Sequence, residues 1–279
     1  MRPVLFEIAG SIRIYGYGLC MAVGMILCVM HACHRAGKKY SLNPDTYFNG
    51  AIIGIIAGLL GAKILFWIVE IKEIIADPHF MQETLTGGFV VYGGLITGIL
   101  APVIYFKGIK KTTILDKLDI AVAGIAMAQG FGRIGCFLAG CCYGKEIPAD
   151  AWYSFIGVVF PASAYCEAPT GIALFPTQLM SSIGDFLLFF FLWWYGHKER
   201  FAGETTCLYV FLYAIGRFLV EFLRGDTVRG FVGELSTSQF IAVIMFAVSI
   251  ILWFVFKKMN GAPLRITGPF KEEESTEKE

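Results

Sequence analysis

The sequence has little charge for its length. Of 279 residues, 16% are Asp, Glu, Lys or Arg, whereas 56% are hydrophobic. Soluble domains of ordinary composition carry about 25% charged residues, so this composition excludes a typical soluble domain and favours a chain embedded in a bilayer. The formal net charge of +1 gives no excess of basic residues, which argues against nucleic acid as a partner.

The sequence also lacks the internal repeat that marks many transporters, and no segment is left for a soluble second domain. It does contain apolar stretches that approach the roughly 20 residues a helix needs to cross a bilayer. These seven stretches lie near residues 12–34, 46–69, 89–106, 118–139, 177–195, 205–223 and 238–256. The predicted fold class is all-α, a polytopic membrane helical bundle of about seven transmembrane helices, the first retained rather than cleaved as a signal.

Basic residues are distributed unequally between alternate loops. One set of loops contains most of them: Arg35, Lys38, Lys39, Lys107, Lys110, Lys111, Lys117, Lys198, Arg200 and those from Lys257 onward. The other set contains Lys72, Lys145, Arg224 and Arg229. Because short loops rich in lysine and arginine favour the cytoplasmic side, the N-terminus is predicted to lie outside and the C-terminus in the cytoplasm.

The longest connection, about residues 140–176, is rich in aromatic residues and proline. That composition is typical of an ordered segment at a membrane interface, so this connection is predicted to form an external cap. Residues 268–279 are charged and have no apolar periodicity, which predicts a disordered cytoplasmic tail. The membrane domain, with its cap, is accordingly expected to cover residues 1–267.

Three basic residues interrupt the apolar stretches: Lys63, Arg133 and Arg217. A charge at mid-membrane costs a few kcal/mol even on lenient scales, so it normally faces protein or water and has a partner. A structural role is one interpretation, with Glu221, Asp185 or helix carbonyls as partners, or with Lys63 reaching an interface.

The alternative interpretation for the arginines is an anion site. Arg133 and Arg217 each follow a glycine, which lets a ligand or another backbone come close. A guanidinium group is a planar fork of donors that matches phosphate oxygens, including those of a phospholipid headgroup. Two arginines that converge would therefore bind an anionic headgroup.

The motifs around these residues resemble one family, the bacterial phosphatidylglycerol–prolipoprotein diacylglyceryl transferases. The matching segments keep the family's order and spacing over nearly the whole chain. They are IRIYGYGL from Ile12, GAKILF from Gly61, VVYGGLITG from Val90, GRIGCFLAGCCYG from Gly132, FPTQL from Phe175 and GRFLVEFLRGD from Gly216.

The resemblance implies transfer of the diacylglyceryl group of phosphatidylglycerol to the thiol of a prolipoprotein lipobox cysteine, in a bacterial cytoplasmic membrane. It implies no cofactor and no metal, and it leaves the oligomeric state open. Implied catalytic residues are Arg133, Arg217, Tyr92 and Glu221. Implied substrate-binding residues are Arg133, Tyr15, Lys63, Gly93, Gly94, Gly135, Cys136, Gln178 and Arg224.

The chain departs from the family motifs at several positions, among them Lys63, where the family has an arginine. Tyr92 replaces the family's histidine, and a phenol with a reference pKa near 10 is a poor base at neutral pH. Cys136 and Cys141 replace the signature asparagine and glutamate. Two alternatives therefore stay open: a related transferase with another acceptor, and a membrane transporter or binder of an anionic lipid or solute.

Cysteines cluster around the arginine motif. Cys136, Cys141 and Cys142 lie within it, and Cys166 follows in the cap. Inert packing, a disulfide from Cys166 to Cys141 or Cys142, metal binding and thiol acyl-carrier chemistry all remain possible interpretations. The zinc signal is weak, because the pattern has neither paired C-x-x-C motifs nor a nearby histidine.

Overall fold

The computed structural model describes residues 4–8, 12–77, 79–84, 88–108, 114–162, 166–226 and 230–259. Most of them are helical. The α-helices are α1 (Gly16–Lys39), α2 (Pro44–Val69), α3 (Ile71–Ala76), α4 (Phe80–Glu83), α5 (Val91–Lys107), α6 (Ile114–Ala139), α7 (Thr177–Tyr195), α8 (Glu204–Glu221) and α9 (Thr237–Met259). The tail predicted for residues 268–279 lies outside the described residues.

The strands form short antiparallel pairs. They are β1 (Val4–Ile8) with β2 (Ile12–Tyr15), β3 (Val158–Val159) with β4 (Ala173–Leu174), and β5 (Phe231–Val232) with β6 (Leu235–Ser236). The first hairpin corrects one prediction, because residues 12–15 are a strand and not the start of the first helix. These residues are mostly β-branched or aromatic, which favours a strand when a partner is adjacent.

Each predicted apolar stretch coincides with a long helix, namely α1, α2, α5, α6, α7, α8 or α9. Within the described residues, four helices are long and apolar enough to cross a membrane: Gly16–Lys39, Pro44–Val69, Ile114–Ala139 and Thr237–Met259. The helix over Tyr92–Lys107 is apolar but shorter. The prediction of a helical membrane protein is therefore confirmed, and the number of spans stays a prediction.

The chain divides into two compact units. One contains Met1–Ala32 and Leu118–Ile266, and the other contains Cys33–Lys117 and Thr267–Glu279. In the second unit α2 and α5 pack closely, because glycines on both helices let the backbones approach. In the first unit, buried Ala123 and Ala126 of α6 pack with Leu188 and Leu192 of α7, and residues of α8 cover them.

The connection between α6 and α7 has its own small core. Phe160, Ala168 and Leu174 are buried together, with Phe137 and Ile172 packed against them. The pairing of β3 with β4 and the short 3₁₀ helix over Ser154–Ile156 complete the segment. The described part of the predicted cap is thus ordered around a core.

The N-terminal end of α8 is fixed by an acidic side chain from α6. Asp119 accepts hydrogen bonds from the backbone N–H of Gly203, at 2.5 Å, and of Thr206, at 2.7 Å. The Thr206 hydroxyl donates to it as well, at 2.6 Å. These are the N–H groups that a helix leaves without an internal partner, so Asp119 acts as a cap from another helix.

Candidate active site

A cavity of about 310 Å³ opens between α6, α7 and α8 in the first unit. Polar and apolar side chains both line it. Its lining residues are Arg133, Met180, Ser181, Gly184, Asp185, Leu187, Leu188, Phe191, Leu212, Tyr213, Gly216, Arg217 and Val220. The volume lies at the low end of the range for small-molecule sites, which suits a headgroup rather than a whole lipid.

Arg133 is the polar residue that α6 contributes to this cavity. Among the described residues, none forms a hydrogen bond or an ion pair with its guanidinium group. Asp185 of α7 and Tyr213 of α8 are near enough to interact with it electrostatically. Arg133 is thus a cation that faces a cavity with its donors available to a ligand.

Arg217 of α8 is held by the protein. Its guanidinium group lies 3.0 Å from the Glu221 carboxylate and donates to the Ser238 hydroxyl at 2.8 Å. Glu221 accepts in turn from the Ser236 hydroxyl at 2.8 Å. Only 17% of the Arg217 side chain is exposed, so its orientation is fixed by partners on α8 and at the start of α9.

Ser236 owes its position to the N-terminus of α9. The backbone N–H of Gln239 donates to the Ser236 hydroxyl, and the Gln239 side chain accepts from the backbone N–H of Ser236, each at 3.2 Å. This reciprocal pair is a capping box, which sequence S-T-S-Q predicts. The capping box therefore links the N-terminal end of α9 to the Glu221–Arg217 pair.

Arg224 follows α8 and forms a two-pronged ion pair with Asp226, at 3.1 and 2.7 Å. Its backbone pairs with that of Gly144, since Lys145 donates to Leu223 and Gly225 donates to Tyr143. The segment after α6 and the segment after α8 are thus joined. Arg133 and Arg224 are both near enough to Arg217 to repel its guanidinium group, and an anion bound there would relieve that repulsion.

Asp185 was considered from the sequence only as a structural partner for the arginines. It is almost completely buried, lines the cavity and lies within electrostatic range of both Arg133 and Arg217. A lone acid in an apolar stretch is the signal that identifies such a residue. Tyr213 lines the same cavity and was not identified from the sequence.

The thiols of the signature motif meet at the end of α6. Gly140 has a φ angle of +73° and its N–H donates to the carbonyl oxygen of Phe137, while the N–H of Cys141 donates to that of Cys136. These two bonds form a Schellman motif, which brings the third residue before the cap into contact with the second residue after it. Here those residues are Cys136 and Cys141, so helix termination itself places the two thiols together.

Cys142 joins the two thiols of the Schellman motif. Sulfur atoms of Cys136, Cys141 and Cys142 all lie within 4.8 Å of one another. Hydrogen bonds with Cys136 and Cys141 lower the pKa of the Cys142 thiol, and the nearby Arg224 and Arg133 act in the same direction. All of these cysteines, and Cys166, are free thiols in the structure, so the disulfide considered for Cys166 is not formed there.

The start of α7 holds this turn. The Thr177 hydroxyl donates to the carbonyl oxygen of Cys142 at 2.9 Å, and the Gln178 amide donates to that of Cys141 at 2.8 Å. Both residues are buried, and the amide oxygen of Gln178 has no hydrogen-bond partner among the described residues. Substrate binding by Gln178, which the resemblance implies, stays a prediction.

The entry motif lies beside this region in the same unit. Tyr15 ends β2 and is exposed, and Tyr17 begins the first turns of α1. A methyl group added to Gly135 would lie 3.1 Å from the Tyr17 ring, so glycine permits α1 and α6 to approach here. Tyr17 also interacts electrostatically with Arg133 and with the cysteine cluster.

The remaining candidates lie in the second unit. The Lys63 ammonium group donates to the carbonyl oxygens of Thr84 and Gly88, and three aromatic rings surround it. Gly93 and Gly94 pack against the backbone of α2, and Tyr92 is exposed near the start of α5. These contacts give Lys63 and the two glycines a structural explanation within this unit.

Comparisons with known proteins agree with the motif pattern. The family model for prolipoprotein diacylglyceryl transferase matches residues 3–255. The chain is similar to two proteins named phosphatidylglycerol–prolipoprotein diacylglyceryl transferase, one from Clostridium tetani and one, with the suffix 2, from Clostridium perfringens. Identity is 49% over 92% of this chain and 97% of the first protein, and 46% over 94% and 97% for the second. The chain therefore belongs to the prolipoprotein diacylglyceryl transferase family.

Proposed function

We propose that this chain transfers the diacylglyceryl group of phosphatidylglycerol to the thiol of a prolipoprotein lipobox cysteine, the first step of lipoprotein maturation. Arg133 is the observation that carries the proposal. Its guanidinium group faces the cavity and has no hydrogen-bond or ion-pair partner among the described residues. A phosphodiester is a ligand that matches this group in charge and in donor geometry.

The chemistry requires stabilisation of an anion. The thiolate sulfur of the lipobox cysteine attacks the glyceryl carbon that bears the phosphate, and the bond from that carbon to the phosphate oxygen breaks. Glycerol phosphate leaves with the electron pair, so negative charge grows on the phosphate in the transition state. Arg133 stabilises this charge, and Arg217, fixed by Glu221 and Ser238, adds a second preorganised cation.

The cavity has a side that suits a lipid substrate. Leu187 and Phe191 of α7 line it and are also among the exposed large apolar residues of the chain. In a membrane helix, exposed apolar side chains face acyl chains. A phospholipid therefore enters from the bilayer, with its headgroup at the arginines and its acyl chains still among other lipids.

The location follows from the same reaction. Prolipoproteins are exported, so we place the chain in the bacterial cytoplasmic membrane with the segment over residues 140–176 and the cysteine turn on the outer side. The N-terminus then lies outside and the C-terminus in the cytoplasm, in keeping with the unequal distribution of lysine and arginine. Cysteine accessibility to an impermeant reagent in whole cells tests this orientation.

The direct test is reconstitution. Purified protein in phosphatidylglycerol vesicles is incubated with a peptide that contains a lipobox cysteine, and the peptide mass is followed. The expected result is a mass gain of one diacylglyceryl group and release of glycerol phosphate, with no gain on a peptide whose cysteine is replaced by serine. Binding of phosphatidylglycerol without a modified peptide, while a related transferase is active alongside, would contradict the proposal.

A further inference from the structure

The cysteine cluster has no role in the transfer step proposed above. Its three sulfur atoms come from the last turn of α6 and from the turn that follows, and each pair is within 4.8 Å. Ligands of a tetrahedral zinc site, with Zn–S bonds of about 2.3 Å, have sulfur atoms roughly 3.8 Å apart. A contraction of less than about 1 Å would therefore bring the thiols to metal-binding distances.

The backbone around the cluster is fixed before any ligand binds. The Schellman motif holds Cys136 beside Cys141, and Cys142 has a φ angle of +58°, in the left-handed region. Hydrogen bonds from Thr177 and Gln178 hold the carbonyl groups of Cys142 and Cys141. A preorganised set of ligands loses little conformational freedom when a metal binds, which favours binding.

The surrounding charges suit a metal bound by thiolates. Three thiolates and one divalent cation carry a net charge of −1. Arg133 and Arg224 lie within electrostatic range of Cys142 and compensate that charge. Inert packing explains the arrangement less well, because the three thiols are only partly buried and the adjacent side chains include cations.

We propose that Cys136, Cys141 and Cys142 bind one thiophilic divalent cation of the Zn²⁺ class, and that the open fourth position of this cation takes the substrate thiol. The second half of the proposal rests on the transfer reaction proposed above. A site with three protein ligands and one open position is the arrangement of catalytic rather than structural zinc.

A bound cation would supply what the motif comparison leaves missing, a means of forming the thiolate. The lipobox thiol binds the cation through sulfur and loses its proton to water, since coordination favours the deprotonated form. The bound sulfur then attacks the glyceryl carbon, the carbon–oxygen bond to phosphate breaks, and glycerol phosphate leaves. The thioether product is a weaker ligand than a thiolate and dissociates. No side chain has to act as the base at the position of Tyr92.

Metal binding is tested without any activity measurement. The full-length protein, purified in detergent under reducing conditions, is loaded with Zn²⁺ or Co²⁺ and dialysed against a weak chelator. The expected result is one metal ion per chain by elemental analysis and, for Co²⁺, the near-ultraviolet charge-transfer band of thiolate ligation. A reduced wild-type protein that retains no metal overturns the proposal.

Serine variants assign the ligands. Cys136→Ser, Cys141→Ser and Cys142→Ser should each weaken Co²⁺ binding by at least about tenfold. Cys166→Ser is the matched control, because Cys166 packs beside Gly140 but lies outside the cluster, and it should bind like wild type. Equal loss in all four variants, or in none, overturns the ligand assignment.

A measurement on wild-type protein covers the case in which a variant does not fold. Saturating Zn²⁺ should protect Cys136, Cys141 and Cys142 from a maleimide reagent, while Cys166 is labelled as before. Mass spectrometry of the digested protein reads each site separately. Labelling of the cluster at the same rate with and without Zn²⁺ contradicts the proposal.

The open position is tested with the Co²⁺ form. Addition of a lipobox peptide should increase the charge-transfer band, because a fourth thiolate binds, whereas the peptide with serine in place of cysteine should not. If the Co²⁺ spectrum does not change when the cysteine peptide is added, the proposal that the fourth position binds the substrate thiol is overturned. Failure of the transfer assay with a Co²⁺ spectrum that still responds to the peptide would contradict the proposed function and leave the metal site intact.

Discussion

The buried charges near the two ends of α8 differ in their contacts. At the N-terminal end, Glu204 is 0% exposed and accepts from Tyr195 and Arg200, while Asp119 accepts from the first N–H groups of the helix. At the C-terminal end, Arg217 has partners in Glu221 and Ser238, but Arg133 across the cavity has neither a hydrogen bond nor an ion pair with any described residue.

The difference separates charges that stabilise the fold from a charge whose donors remain available to a ligand. A buried polar group with its hydrogen bonds satisfied contributes to a fixed fold, whereas one that faces a cavity without a partner retains the capacity to bind. Both kinds look alike in sequence, as isolated charges among apolar residues. The contacts, and not the charge itself, distinguish Arg133 from Glu204.

The largest effect is expected for Arg133→Ala. Removal of a preorganised cation from a site of developing negative charge should lower kcat/KM for the transfer by about 10²–10³-fold. The thermal unfolding temperature should stay near that of wild type, because the part of the chain that the structure describes forms no ion pair or hydrogen bond with this side chain. Peptide lipidation in phosphatidylglycerol vesicles measures the rate, and retained activity would remove Arg133 from the mechanism.

Asp119→Ala should have the opposite result, a loss of stability with little change in specific activity. It leaves the N–H groups of Gly203 and Thr206 and one hydroxyl without their acceptor, which should destabilise the protein by about 2 kcal/mol. The specific activity of the molecules that remain folded should be near that of wild type. Thermal unfolding in detergent measures the stability, and the monodisperse fraction is assayed for activity. A normal melting temperature with lost activity would contradict the structural role of Asp119.

The sequence predicts part of this arrangement. Length and apolarity indicate the helices, and the glycine before Arg133 and Arg217 indicates a site, because both signals are local. Asp119 could not be identified as a cap, since its partners are more than 80 residues away along the chain. The same limit applies to Gln178, whose hydrogen bond to the carbonyl oxygen of Cys141 joins residues 37 positions apart in the chain.

The cysteine cluster is an intermediate case. The pattern C-F-L-A-G-C ends an apolar helix with a glycine, and a Schellman motif at that glycine predicts contact between the flanking cysteines. A search for C-x-x-C spacing misses this, because it looks for a ligand motif and not for a helix end. The position of Cys142 depends on Thr177, which is contributed by α7.

Asp185→Asn is expected to strengthen lipid binding, in contrast to Arg133→Ala, which is expected to lower kcat/KM. Asp185 is within electrostatic range of both arginines and competes with an anionic ligand for them. Loss of its charge with retention of its shape should tighten binding of phosphatidylglycerol by about tenfold, or roughly 1.4 kcal/mol. Binding to nanodiscs of graded phosphatidylglycerol content measures this; weaker binding would show instead that Asp185 holds the arginines in position.

Ser238→Ala should have the smallest effect. It tests whether Arg217 is held in position for catalysis or only stabilises the fold. The variant removes one hydrogen bond to the guanidinium group and leaves the ion pair with Glu221 at 3.0 Å. If Arg217 is preorganised for catalysis, the loss should be about 1 kcal/mol, or roughly fivefold in kcat, with KM little changed. If Arg217 is purely structural, the melting temperature falls and kcat does not. Ser181→Ala, at the same cavity but bonded to the Thr177 carbonyl, is the matched control, because it removes a hydroxyl without touching either arginine.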